Sequence, residues 1–303
     1  MRIDVHQHLW TEPLIEALER RSRLPFVRCD DGLCTIHLAG EVPSAVELES
    51  ERPQRRVALF ERDGIDCALI ALSSPLGIEA LPREEARSLI DAHLDGISAL
   101  GPSFAAWGPI ALDGLRADDV DAVLERDCCV GVSLPAGALG PGVERLRPVF
   151  ARLESLDAPL FIHPGPGLGR RPAESSLSDP LWWPALTGYV AQMQASWFAF
   201  TALARREHPS LRVIFAMLAG GAPLLSERLD ARGGPAVDIR DPCSFYDTSS
   251  FGPVAIEAMG RRVGTQQLLY GSDRPVVEPA LSGREEQLRQ NAEWLGLRTG
   301  SPA

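Results

Sequence analysis

The chain has 303 residues, 45 % of them hydrophobic and 23 % charged, an ordinary globular balance that supports a sizeable buried core. Its net charge of −11 excludes nucleic acid and an anionic membrane as main partners, although a local Arg pair can still attract a small anion. No lysine occurs and all 30 basic residues are arginine, which excludes a lysine Schiff base, a Walker phosphate loop and a carboxylated lysine bridging two metals. Nothing approaches the ~18 consecutive apolar residues of a membrane helix, and the strand-like MRIDVHQHLW opening is unlike a signal peptide. Cys29, Cys34, Cys67, Cys128, Cys129 and Cys243 show no CxxC spacing and read as mostly reduced thiols of a cytoplasmic protein.

In chain order, short apolar runs at residues 2–9, 67–73, 104–112, 129–135, 159–164, 212–218, 245–249 and 267–272 read as strands. Between them, residues 83–100, 143–156, 197–207 and 253–262 carry helical periodicity. Eight strand–helix units in one domain of this length predict an α/β fold, a (β/α)₈ TIM barrel; an open doubly wound sheet is the alternative that periodicity leaves standing. Two connections are too long for simple loops. The first, residues 11–53, contains FVRCDDGLCTIHLAG and reads as a small hairpin insertion turning at Asp30, Asp31 and Gly32. The second runs from Gly165 to Met193 and contains Arg170, Arg171, Trp182, Trp183 and Tyr189. Both follow strands, so both rise from the C-terminal face, where barrel active sites sit.

His6 and His8 are two apart on the first strand, so both rings point to the barrel interior, with Asp4 expected on the same side one layer down. His163 closes the fifth strand in PLFIHPG and Asp273 follows the eighth in LLYGSDRP. Four such groups at the C-terminal ends of strands 1, 5 and 8 converge on one point and suit a single divalent ion. Three imidazoles and a carboxylate favour Zn²⁺, with Mn²⁺ or Fe²⁺ as alternatives. Asp273 and His163 are also the catalytic candidates. Arg170 and Arg171 could pair with a substrate carboxylate, and Trp182 and Trp183 could cover a ring. His37, His93 and His208 read as structural or exposed, and Cys128 and Cys129 as packing at the start of strand 4.

The segments MRIDVHQHLW, PLFIHPGP, RVIFAMLAGGAPLL and LLYGSDRPV, in this order, resemble the amidohydrolase branch that includes aminocarboxymuconate semialdehyde decarboxylase and related aromatic-acid decarboxylases. The resemblance spans nearly the whole chain. It implies one divalent ion and an activated water at His6, His8, His163 and Asp273, and a homodimer, sometimes with an Arg reaching the neighbour's site. There is one departure. Relatives read AHLGG or AHGGG at the sixth strand, whereas this chain reads AMLAGG. Met217 therefore stands where a proton-transferring His is expected, and a thioether neither shuttles protons nor ligates a hard ion well. The leading expectation is a metal-dependent decarboxylase of a small carboxylated, aromatic compound. The alternatives are a metal-dependent hydrolase of a lactone, ester or amide with Asp273 as base, and a catalytically impaired barrel that binds a ligand or partner.

Overall fold

The computed structural model describes residues 1–140, 142–169, 180, 182–280 and 282–297. Eight parallel strands follow one another around a barrel: β1 (Ile3–Gln7), β5 (Cys67–Ile70), β6 (Phe104–Pro109), β7 (Cys129–Pro135), β8 (Leu160–His163), β9 (Val213–Phe215), β10 (Ser244–Asp247) and β11 (Leu268–Leu269). Backbone bonds join the last strand to the first: Val5 N–H to Tyr270 O (2.9 Å), Asp273 N–H to His6 O (2.9 Å) and His8 N–H to Arg274 O (2.7 Å). The expected (β/α)₈ barrel is thus the observed one. These strands are buried apart from Ala105 of β6 and Cys129 of β7, which are half-buried, as expected of parallel strands covered on both faces.

The helices are α1 (Glu12–Glu19), α2 (Pro53–Asp63), α3 (Arg83–Ser98), α4 (Asp118–Leu124), α5 (Arg147–Ser155), α6 (Trp183–Leu186), α7 (Gly188–Ala199), α8 (Ser226–Ala231), α9 (Pro253–Val263) and α10 (Glu285–Gln290). Starts and stops follow local chemistry. Pro53 and Pro253 open α2 and α9, where a missing N–H costs nothing, and α2 ends on Gly64 in the left-handed region. The helix expected over residues 197–207 begins earlier, at Gly188, and continues as a π-turn over Phe200–Ala204. No described helix is long and apolar enough to cross a membrane.

The insertion is a three-stranded antiparallel sheet, β2 (Phe26–Asp30), β3 (Leu33–His37) and β4 (Ser44–Glu47), one strand more than the expected hairpin. Asp31 and Gly32 make the two-residue turn at φ 45° and 83°, both in the region such a hairpin needs. That turn places Cys29 opposite Cys34, and the two are joined as a disulfide with a Cα–Cα distance of 4.0 Å. The reading of the six cysteines as mostly reduced did not foresee this bridge; Cys67, Cys128, Cys129 and Cys243 are free thiols. The four residues between Cys29 and Cys34 conceal the pairing until the hairpin register is known.

Inside the barrel, Trp107 stacks on Phe161 (5.2 Å between ring centroids, 15° between planes) and donates its indole N–H to Val5 O at 2.8 Å. Phe161 in turn meets the His6 ring at 5.2 Å, so an aromatic floor lies beneath the histidines. Asp4 is fully buried. The β1 register shifts between Asp4 and Gln7, and the Asp4 carboxylate accepts from the Gln7 amide (2.7 Å) and from the backbone of His6 and Ser272. Gln7 Oε1 continues to Arg56 (3.2 Å), which pairs with Glu51 (3.3 Å), both side chains 2 % exposed. Removing one partner of such a pair strands the other charge, so Arg56→Ala is expected to cost about 3–5 kcal/mol, read as a fall in the thermal or denaturant midpoint.

Candidate metal centre

The rings of His6, His8 and His163 meet at the C-terminal mouth of the barrel. Their centroids are 4.9–5.0 Å apart with planes at 83–87°, and one nitrogen from each lies within 4.8 Å of the others. Each Nδ1 is already committed to an oxygen. His6 Nδ1 donates to Asp247 Oδ2 (2.8 Å), His8 Nδ1 to Ala71 O (2.8 Å) and His163 Nδ1 to Pro164 O (2.8 Å). A ring hydrogen on Nδ1 leaves Nε2 bare, yet His6 Nε2 and His8 Nε2 face each other at 3.2 Å. Asp273 Oδ1 is 3.3 Å from His8 Nε2 and 3.6 Å from His6 Nε2. Lone pairs converging on one point, with a carboxylate beside them, form a donor set that fits a divalent cation.

The electrostatics agree with the geometry. Burial works against a charged His6, but Asp247 and Asp273 outweigh it and push the imidazole up to about 9. Burial and the neighbouring His6 and His8 hold His163 well below the usual range. Burial would raise Asp273, but the His6 and His8 rings overcome it and hold the carboxyl below the ordinary carboxylate range. The site thus favours one added positive charge over several neutral groups.

The supporting residues were not found from the sequence. Asp247, at the end of β10, also accepts from the backbone of Ser249 (2.8 Å) and of Met217 (3.2 Å). Ser250 Oγ donates to Asp273 Oδ2 at 2.9 Å. The signal available was the polar run DTSS at a strand's C-terminal end, which is uninformative until barrel closure gathers the ends of strands 7, 8 and 1 at one mouth. Removing such an orienting group costs about 10–100-fold in metal affinity, the result expected for Asp247→Ala in a competitive chelator titration.

Met217 sits in an unusual backbone. Residues Met217, Leu218, Ala219, Gly220 and Gly221 all have positive φ, from 49° to 78°, so β9 ends in a left-handed turn that cuts short the expected strand over 212–218. Gly220 is required there, because a Cβ would lie 2.7 Å from Val190 O of α7. The same helix reaches the mouth through Gln192, which accepts from Gly165 N–H (2.8 Å), and Gln194, which donates to Gly220 O (2.9 Å). Tyr189 on α7 donates to Glu41 of the insertion, fastening the three-stranded sheet beside the mouth.

Of the expected substrate-binding residues, Trp182 and Trp183 are 55 % and 45 % exposed, with ring centroids 5.7 Å apart. Among the described residues, no ring contact or hydrogen bond joins them to the histidines. Arg170 and Arg171 lie outside the described residues. His93 is buried and lines a small cavity together with His8, whereas His208 bonds Glu154 (3.3 Å) and His37 stacks on Phe26 (4.5 Å).

The sequence profile of the amidohydrolase family matches residues 3–297. The chain belongs to the amidohydrolase family. It is 23 % identical over 290 residues to the gamma-resorcylate decarboxylase of Rhodococcus jostii (strain RHA1), covering 82 % of each chain. Its fold matches that of Metarhizium anisopliae IDCase in apo form, with a TM-score of 0.73 at 18 % identity, covering 99 % of this chain and 93 % of that one. It also matches the 5-carboxyvanillate decarboxylase of Novosphingobium aromaticivorans, solved with manganese and 4-hydroxy-3-methoxy-5-nitrobenzoic acid. There the TM-score is 0.73 at 20 % identity, covering 98 % of this chain and 96 % of that one. The resemblance read from the four sequence segments thus names the right branch of the amidohydrolases.

Proposed function

We propose that this amidohydrolase is a metal-dependent, non-oxidative decarboxylase of a small aromatic carboxylate. The observation that carries the reading is the set of three histidines with committed Nδ1 atoms and bare Nε2 atoms beside Asp273. The decarboxylase names of its relatives give the reaction class. His6, His8, His163 and Asp273 would hold one divalent ion. Zn²⁺ suits three imidazoles and a carboxylate, and the manganese of the carboxyvanillate enzyme makes Mn²⁺ the competitor. When bound, such an ion polarises a carboxylate oxygen and acidifies water.

The chain's own part is positioning and proton transfer. Overall, a proton joins the ring carbon, the bond from that carbon to the carboxylate breaks, and CO₂ leaves with the bonding electrons retained by the ring. Asp273 would carry the proton, at Oδ2, where Ser250 Oγ lies within hydrogen-bond distance. His163 completes the ligand set and, with Phe161 below it, fixes the inner wall. Trp182 and Trp183 are the side chains for covering the ring, and Arg170 and Arg171 for holding an anionic substituent. A homodimer belongs to this reading, and sedimentation of the purified chain checks it.

The reading is tested with a panel of hydroxylated and methoxylated benzoates, following CO₂ release and loss of substrate absorbance. Turnover that disappears on chelation and returns with Zn²⁺ or Mn²⁺ supports it. A metal-replete chain that releases no CO₂ from any member, but opens lactones or esters, overturns it in favour of hydrolysis.

A further inference from the structure

Adjacent residues of a regular strand point to opposite faces, yet the thiols of Cys128 and Cys129 are in contact, Sγ to Sγ at 3.9 Å. Cys128 lies just before β7 begins, which lets its side chain turn onto that of its neighbour. Both residues are only half-buried. Cys128 lines a cavity of about 710 Å³ with Met1, Cys67, Phe104, Arg126 and Val130. It is also surrounded by donors. Ser98 Oγ, at the end of α3, points at its sulfur from 3.1 Å, and Arg126 is close by, itself paired with Asp91 and Asp95. The Cys129 thiol and the Ser98 hydroxyl, with Arg126, bring Cys128 below the ordinary thiol range, which favours its thiolate form. Cys129 is pushed the other way by the same contact.

We propose that Cys128 and Cys129 form a dithiol site for a soft, thiophilic metalloid ion of the arsenic(III) class. Soft thiolates select soft ions, whereas the imidazole and carboxylate set at the mouth does not. Cys129 is the first residue of β7, and Pro135, its last, pairs with His163. Six residue steps along β7 separate the two sites, roughly 20 Å, so the dithiol occupies the face of the barrel away from the metal centre and does not depend on the proposed reaction. Capture is a condensation without redox change. With phenylarsine oxide, each sulfur forms one bond to arsenic, the As–O bond breaks, and the oxygen leaves with both thiol protons as water.

The probe is phenylarsine oxide, added to chain purified without reductant so that the Cys29–Cys34 disulfide persists, and read by intact mass. One adduct is expected that resists excess monothiol, is released by a 1,2-dithiol, and maps to the peptide containing residues 128 and 129. It survives Cys67→Ser, Cys243→Ser and the joint Cys29→Ser, Cys34→Ser change. Cys128→Ser or Cys129→Ser weakens it roughly 10²-fold, as two-point attachment becomes one. An adduct that maps elsewhere in the unmodified sequence, that survives Cys129→Ser, or that monothiol strips away overturns the proposal. Peptide mapping on the native chain decides even where a serine variant fails to fold.

Discussion

Asp273→Asn is expected to lower kcat by about 10²–10⁴-fold, the range of a lost proton-transfer group, while leaving the fold intact. Asn has nearly the same volume, and it tolerates the left-handed backbone that Asp273 adopts at φ 59°. The backbone bond from residue 273 to His6 O is kept, so the barrel still closes. Two things are removed. An amide holds no titrating proton at the position of Oδ2, and the negative charge beside His6 and His8 is gone. Metal content and turnover, measured on the same preparation, separate these losses. An Asn variant that retains its ion but not its turnover places the proton on Asp273; full turnover in that variant would remove Asp273 from the mechanism.

Met217→His is expected to act in the opposite direction, raising kcat on an aromatic carboxylate by roughly 10–10²-fold, within the range of general acid–base assistance. The site is ready to receive it. Met217 is buried at the mouth, its N–H is bonded to Asp247, and Asp247 orients His6. Its φ of 53° lies in a region where His is more readily found than most side chains. Three non-glycine residues in succession hold this left-handed turn, at of order 1–3 kcal/mol each. The chain thus retains the strained backbone while lacking the imidazole. An unchanged rate in a variant that keeps its metal would show that no second proton-transfer group is wanted, favouring the hydrolytic or binding alternatives.

The barrel was legible because its signals are local. Eight buried strands separated by amphipathic helices appear as apolar runs, and strand boundaries were missed by only a few residues except where β9 gives way to the left-handed turn. The convergence of His6, His8, His163 and Asp273 was legible because each sits at or just beyond a strand's C-terminal end, where parallel topology gathers side chains that are far apart in the chain. Asp247, Ser249 and Ser250 were not, since their roles exist only once barrel closure gathers the C-terminal ends of strands 7, 8 and 1 at one mouth. The Cys29–Cys34 bridge was missed because spacing alone does not give hairpin register.

The central claim is that His6, His8, His163 and Asp273 together hold one divalent ion. It is tested most directly by elemental analysis of the purified chain after reconstitution with Zn²⁺ and, separately, Mn²⁺, alongside the His6→Ala, His8→Ala double variant. The account predicts one ion per chain, held through gel filtration and lost in the double variant. A reconstituted chain with well under one ion, or a variant that binds as much as the native protein, would contradict it.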